Sequence, residues 1–425
     1  MEPKIRIKGF QREWKELAFS DSFDSLKNNS LSRAELSESG SVYNIHYGDV
    51  LISYNECVEV DKEVKTFVKD AEFARKLKQS YAIKNGDIIF ADAAEDNTVG
   101  KCTEVIAQEA DAIVSGLHTI PCRPKKEFAS RYLGYYLNSN AFHDQLLPHI
   151  QGTKISSISK RALAQTYISY PSDKNEQQAI ASYFQHLDSL IQSTTKKIES
   201  LKQVKAASLQ SMFPQKGETK PRVRFKGFEG EWEKVMVGNM GTTYSGLTGK
   251  TKEDFGQGDA KFITFLNVLT NAKIDISILE PVNVCLGEHQ NEVKKGDILF
   301  NTSSETPEEV GMCAVMDEDI ENVYLNSFCF GFRITDEHIE PTYIAYLMRS
   351  QIGRKIMSIL AQGATRYNLS KNSFCKVELL VPTSREEQKT IAAYFTNLDS
   401  QIALQSQRLE KLKQIKSACL DNMFV

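Results

Sequence analysis

Two kinds of residue pattern in this 425-residue chain bear on chemistry. The first would be catalysis. Glu63-Val-Lys65 and Glu292-Val-Lys294 have the E-x-K form of metal-dependent nucleases, but such tripeptides are common and neither has a convincing upstream acidic partner to complete a cation site. Gly249-Lys250-Thr251 resembles the end of a phosphate loop, yet that pattern requires glycine where Tyr244 stands, and Gly256-Gln-Gly258 is too short for a dinucleotide fingerprint. The seven histidines form no H-E-x-x-H, and no Ser or Cys sits in a nucleophile elbow. No Asn/Asp-Pro-Pro-aromatic run of the amino-methyltransferase kind occurs. The eight cysteines are dispersed without C-x-x-C spacing, which argues against structural zinc. The chain is therefore not expected to be an enzyme or to bind a cofactor or metal itself.

The second pattern is charge recognition. The net charge of −3 argues mildly against a uniformly basic polyanion binder, so any such role must rest on local charge. From Arg123 to Arg161 there are seven basic residues (Arg123, Lys125, Lys126, Arg131, Lys154, Lys160 and Arg161) against two acidic ones. From Arg333 to Lys371 there are six against three, and Arg349, Arg354, Arg366 and Lys371 are among the six. Each island ends in a Gln-Gly turn with polar and basic residues, QGTKISSISK and QGATRYNLSK. Arginine suits bidentate recognition of guanine, and lysine suits phosphate or guanine. Tyr367 could stack or pack. Two bland readings stay open: a solvated basic face, and a turn that only orients the strand after it.

The elements that would position these residues are duplicated. Glu176-Gln177, Tyr183-Phe184, Leu187-Asp188, Leu201-Lys202 and Met212-Phe213 recur 211 residues later as Glu387-Gln388, Tyr394-Phe395, Leu398-Asp399, Leu412-Lys413 and Met423-Phe424. Gly86-Asp87 recurs as Gly296-Asp297 at an offset of 210, and Lys8-Gly9-Phe10…Trp14 as Lys226-Gly227-Phe228…Trp232 at 218. Such repeats imply two copies of one architecture.

Each copy closes on a long amphipathic helix. Ile180, Phe184, Leu187, Ile191, Ile198 and Leu201 follow heptad-like spacing with Thr194 as a polar interruption. Ile391, Phe395, Leu398, Ile402, Leu409 and Leu412 repeat it, with Gln405 at the matching place. A helix of this kind must bury its stripe, and the other copy is the economical partner, giving a helix–helix spacer. Pairing of each helix with its own globular region, or with another protein, is the alternative.

The regions before the helices read as mixed α/β. Val42–Ile45, Val50–Ser53, Asp87–Ala91 and Ile298–Asn301 have strand-like composition, and helical pairs are expected near 127–150 and 340–360. The start of the chain, MEPKIRIKGFQREWKE, has no signal-peptide h-region, and no apolar run is long enough to span a bilayer. With dispersed cysteines, this leads us to expect a cytoplasmic protein with no membrane partner.

The run P-x-x-x-x-E-Q-x-x-I-A-x-Y-F-x-x-L-D-x-x-I, at Pro171–Ile191 and again at Pro382–Ile402, resembles the conserved regions of specificity subunits of type I restriction–modification systems. RFKGFEGEW (224–232), the weaker RIKGFQREW (6–14) and SGLTGKTKEDFGQGDAKFITFLNV (245–268) add to the resemblance. Ser172-Asp173-Lys174 and Thr383-Ser384-Arg385 depart from it, since hydrophobic residues are common there. The resemblance implies an α/β (α+β) fold with two tandem target-recognition domains, separated by two antiparallel coiled-coil helices with pseudo-twofold symmetry. The boundaries would be 1–170 for the first domain, 171–213 for the central helix, 214–224 for a linker, 225–381 for the second domain and 382–425 for the distal helix. It implies recognition of a bipartite asymmetric site in double-stranded DNA. Two methyltransferase subunits would bring S-adenosylmethionine, and restriction–translocase subunits would bring ATP and magnesium. The competing readings are a specificity subunit whose partner fuses methylation and cleavage, a coiled-coil scaffold without a DNA role, and a standalone nuclease.

Overall fold

The computed structural model describes residues 2–80, 82–152, 154–285, 287–363 and 365–425. It divides into two compact units, Met1–Thr195 with Gln407–Val425, and Lys196–Ser406. The division does not follow chain order, because each long helix starts in one unit and finishes in the other. The helices span Lys174–Ser211 and Arg385–Asn422. At 1.5 Å per residue each is about 57 Å long.

In the first unit, one five-stranded sheet has the order Phe23–Ser25, Thr119–Pro124, Ile88–Ala91, Cys102–Ile106, Cys57–Glu59. All its pairings are antiparallel except the last, which is parallel. A second five-stranded sheet includes Tyr43–Ile45 beside Ile113–Ser115 in parallel. The second unit repeats this more sparsely. Gly241–Ser245, Cys329–Ile334, Ile298–Asn301 and Cys313–Val315 form an antiparallel sheet, and Glu280–Val282, Phe255–Ile263 and Val323–Leu325 form a three-stranded one. The central strand Ile88–Ala91 is apolar along its length, and Ile298–Asn301 up to its last residue, because both faces are covered.

Val50–Ser53, read from composition as a strand, instead ends a short helix at Tyr47–Ile52. The His46 ring nitrogen caps it by accepting from the Gly48 amide at 3.2 Å, and Asp49 lies in its first turn. The helical pairs fall at Tyr132–Leu137 and Asn140–His143 in the first unit, and at Pro341–Arg349 and Gln351–Leu360 in the second.

The repeated motif residues tie the long helices to their units. Arg6 forks onto both oxygens of buried Glu176 at 2.7 and 2.9 Å, and Arg224 does the same to Glu387 at 2.7 and 2.7 Å. Gln177 accepts from the Ala129 amide and donates to the Pro171 carbonyl. Gln388 accepts from the Glu340 amide and donates to the carbonyls of Pro382 and His338. The glutamine thus satisfies main-chain groups at the start of each helix, where unmet polar groups would be costly, while the glutamate takes an arginine.

Within the first unit the residues 174–195 run antiparallel to 407–422: Phe184 stacks on Phe424 at 5.6 Å and the Tyr183 hydroxyl meets Cys419. Ile180, Phe184 and Leu187 are buried there, while Ile191, Leu409 and Leu412 are half-buried. In the second unit Phe213 stacks on Phe395 at 5.8 Å, and the hydroxyls of Ser208 and Tyr394 lie 2.9 Å apart. Ile198, Ile391, Phe395 and Leu398 are buried, and Leu201 and Ile402 half-buried. Thr194 is buried but returns its hydroxyl to the Leu190 carbonyl at 2.7 Å, and Gln405 is half-buried.

Candidate nucleic-acid interface

In each unit three loops are stitched into one edge by main-chain hydrogen bonds. In the first, the Asp92 amide donates to the His118 carbonyl at 3.0 Å and the Ile158 amide to the Asp92 carbonyl at 2.9 Å. In the second, Thr302 donates to Phe328 at 3.0 Å and Leu369 to Thr302 at 2.8 Å. The third loop is the Gln-Gly turn, which is a hairpin. Gln151 and Ser157 exchange hydrogen bonds at 3.0 and 2.7 Å, and Gln362 and Asn368 do so at 3.0 and 2.8 Å. Glycine is required in both: a Cβ on Gly152 would sit 1.9 Å from the Ile155 carbonyl oxygen, and one on Gly363 would sit 2.0 Å from that of Arg366. Thr153 and Ala364 of these turns lie outside the described residues.

The edge carries different side chains in the two units. In the first, Tyr47 meets His118 edge-on at 5.3 Å, His118 faces Asp92 at 3.1 Å, and Lys154 and Ile155 are exposed on the hairpin. In the second, Phe265, Ser303, Ser304, Glu305, Phe328 and Arg366 line a cavity of about 330 Å³. The Arg366 guanidinium lies 5.7 Å from the centre of the Phe328 ring. Tyr367 pairs with Ser304 in a two-stranded ladder and packs half-buried on the core, so packing is its use.

The other candidate residues divide by exposure. Lys126, Lys154, Arg161 and Arg366 are exposed, and none makes a described hydrogen bond to a carboxylate or carbonyl. Lys125 and Lys160 are exposed but donate to the carbonyls of Ser20 and Leu26, each at 2.9 Å, and Lys371 donates to the Ser245 hydroxyl at 2.7 Å.

Three candidate arginines have their donors engaged inside the fold. Arg349 is half-buried and its guanidinium is taken up by the carbonyls of Cys313, Val268, Leu269 and Asn271; burial pulls its pKa down. Arg354 holds the Glu308 and Val310 carbonyls, and burial lowers its pKa too. Arg123 forks onto buried Asp87 at 2.8 and 2.7 Å, as its counterpart Arg333 does onto Asp297. Asp87 and Asp297 belong to the Gly-Asp turns, and each also accepts from a main-chain amide, Lys84 and Lys294 respectively. These arginines hold backbone or pair with carboxylates within the fold.

The E-x-K carboxylates have local uses as well: Glu63 accepts from the Glu59 amide and Glu292 from the Asn322 amide. Among the described residues no group of three His, Cys, Asp or Glu is placed to hold a metal ion. Nor is any described helix long and apolar enough to cross a membrane. Tyr47, His118, Ile155, Phe265 and Phe328 were not legible as site residues from charge. The signal that could have found them is the repeat itself, since His118 and Phe328 stand in equivalent places but differ in type.

The fold and this loop edge are built twice, once in each unit. The family model for the type I restriction modification DNA specificity domain matches residues 11–203 and again 229–414. The chain belongs to this family. It is 30% identical over 186 residues to the type I restriction enzyme StySPI specificity subunit of Salmonella potsdam, covering 43% of this chain and 40% of that one. It is 26% identical over 186 residues to the EcoKI specificity subunit of Escherichia coli K12, covering 43% and 39%. These matches thus span about two-fifths of the length of the curated relatives. Over nearly the whole chain the fold is similar to that of the S subunit of a type I restriction–modification system from M. genitalium (TM-score 0.60, 15% identity, 100% of this chain and 99% of that one).

Proposed function

We propose that this chain is the DNA-recognition subunit of a type I restriction–modification complex. Each unit reads one part of a bipartite, asymmetric site in double-stranded DNA through its hairpin and the two loops stitched to it. The observation that carries this reading is that one loop scaffold is built twice with different exposed side chains, as a reader of two unlike half-sites needs. Family membership over both halves supports it. Exposed Lys126, Lys154 and Arg161 in the first unit suit phosphate positioning, which fixes register without specifying sequence.

In this proposal the chain does no chemistry. Two methyltransferase subunits supply S-adenosylmethionine and flip the target adenine, and restriction–translocase subunits supply ATP and magnesium chemistry. The long helices act as spacer and scaffold, and the complex works in the cytoplasm. Sequencing native genomic DNA of the source strain with modification detection, with and without this gene, tests the reading. A split methylated-adenine motif that disappears on deletion is the expected result. Identical modification in both strains would defeat it.

A further inference from the structure

One position on the loop edge differs between the units in chemical kind. On the frame of the repeat, Arg366 of the second unit stands where the first has Ile155. Both are exposed on equivalent hairpins, Ile155 at 60%. Arg366 presents a five-donor fork, whereas Ile155 can donate nothing. The surroundings of Arg366 are also unusual. Phe328 is 55% exposed, a large apolar ring held outward rather than buried. Its backbone is fixed on both sides, its amide donating to the Asn326 side chain at 2.8 Å and its carbonyl accepting from Thr302 at 3.0 Å. The ring lies under the Arg366 guanidinium and on the wall of the cavity that Ser303, Ser304 and Glu305 also line.

A guanidinium braced on an aromatic face keeps its plane and leaves its edge N–H groups free. That edge matches the O6 and N7 acceptors that guanine alone presents together in the major groove. We propose that Arg366, held in plane by Phe328, reads a guanine in the half-site of the second unit, and that Ser303, Ser304 and Glu305 border that base. Arg366 is the specificity-determining residue and Phe328 a positioning residue. At the same place in the first unit Ile155 offers only apolar surface, which can meet a thymine methyl but not select guanine. This inference rests on the DNA-recognition reading above and adds the base and the side chain.

The test uses the complex of this chain with its methyltransferase subunits and the motif found for the wild type. Methylation and binding are measured on duplexes in which each guanine of the motif is replaced in turn, first by other bases and then by 7-deazaguanine, which lacks N7. Wild-type complex should lose binding with 7-deazaguanine at one position. R366A should abolish discrimination at that position, by about 5- to 150-fold, and leave the other half-site unchanged. R366K keeps the charge and a single ammonium donor but loses the planar fork, so it should retain affinity and weaken the guanine requirement less than R366A does. F328A should weaken the same requirement in the same direction and leave all others intact. If R366A and R366K keep the full guanine requirement everywhere, or lower affinity evenly across all sequences, the inference is overturned and the parent reading stands. If the wild-type complex recognises no motif, both are overturned.

Discussion

Glu104 shows how a single buried group can set a pH dependence. Its carboxylate accepts from the Arg131 and Gly134 amides at 2.6 and 2.9 Å, at the start of the helix Tyr132–Leu137. Burial nevertheless pushes its pKa up to about 7 from 4.5, because the two amide hydrogen bonds do not fully replace water. The folded state therefore holds this proton more tightly than the unfolded chain. Its contribution to stability is complete below about pH 4.5 and is lost as pH rises through about 7. The effect is on the order of 3 kcal/mol at most. E104Q should flatten the fall in urea-unfolding stability between pH 5 and 8, and an unchanged slope would assign that dependence elsewhere. Position 104 has no acidic counterpart in the second unit, where Ala314 and Val315 stand at the equivalent offsets, so charge counting along the chain gave no hint of it. The same holds for Arg349: its composition says "basic", and only the four carbonyls around it say "structural".

At the scale of elements, each long helix carries a lysine that pairs with a carboxylate on the other long helix. Lys416 lies between Glu56 at 2.6 Å and Asp188 at 2.7 Å, and Tyr135 donates its hydroxyl to the same Asp188 at 2.6 Å. In the second unit Lys205 pairs with Asp399, which also accepts from Tyr346 at 2.8 Å. Each lysine lies over its tyrosine ring at 5.8 Å. Aspartate on one long helix is thus joined both to lysine on the other and to a tyrosine of the globular part. Removing a buried partner leaves charge uncompensated, so K416M should cost about 3 kcal/mol in urea unfolding. K205M should cost less, because one carboxylate rather than two is stranded. Equal losses would show that Glu56 adds nothing. The apolar stripe was legible because 3.6-residue periodicity survives in sequence. The lysine pins were not, because their partners lie 194 to 360 residues away in the chain. Val50–Ser53 failed for a local reason: an apolar run this short has no period long enough to separate strand from helix, and the His46 cap decided it.

At the scale of the whole molecule, the proposed spacer makes a geometric demand. Deleting one heptad from both long helices keeps the apolar seam in phase and removes roughly 10 Å of rise from each. The complex should then accept a shorter gap between its two half-sites, read directly as a changed motif in methylated genomic DNA. A gap of unchanged length would reject the spacer role. The sequence by itself determined the duplication, the two long helices, their apolar faces and the family, because those features are local patterns repeated at nearly constant offsets. Only the tertiary structure decided that each helix begins in one compact unit and ends in the other. It also decided which cations are consumed by carbonyls and carboxylates and which, like Arg366, remain exposed at a loop edge. Both are long-range outcomes: burial and partner choice depend on segments far apart in the chain, and a one-dimensional pattern carries no record of which of them fold against each other.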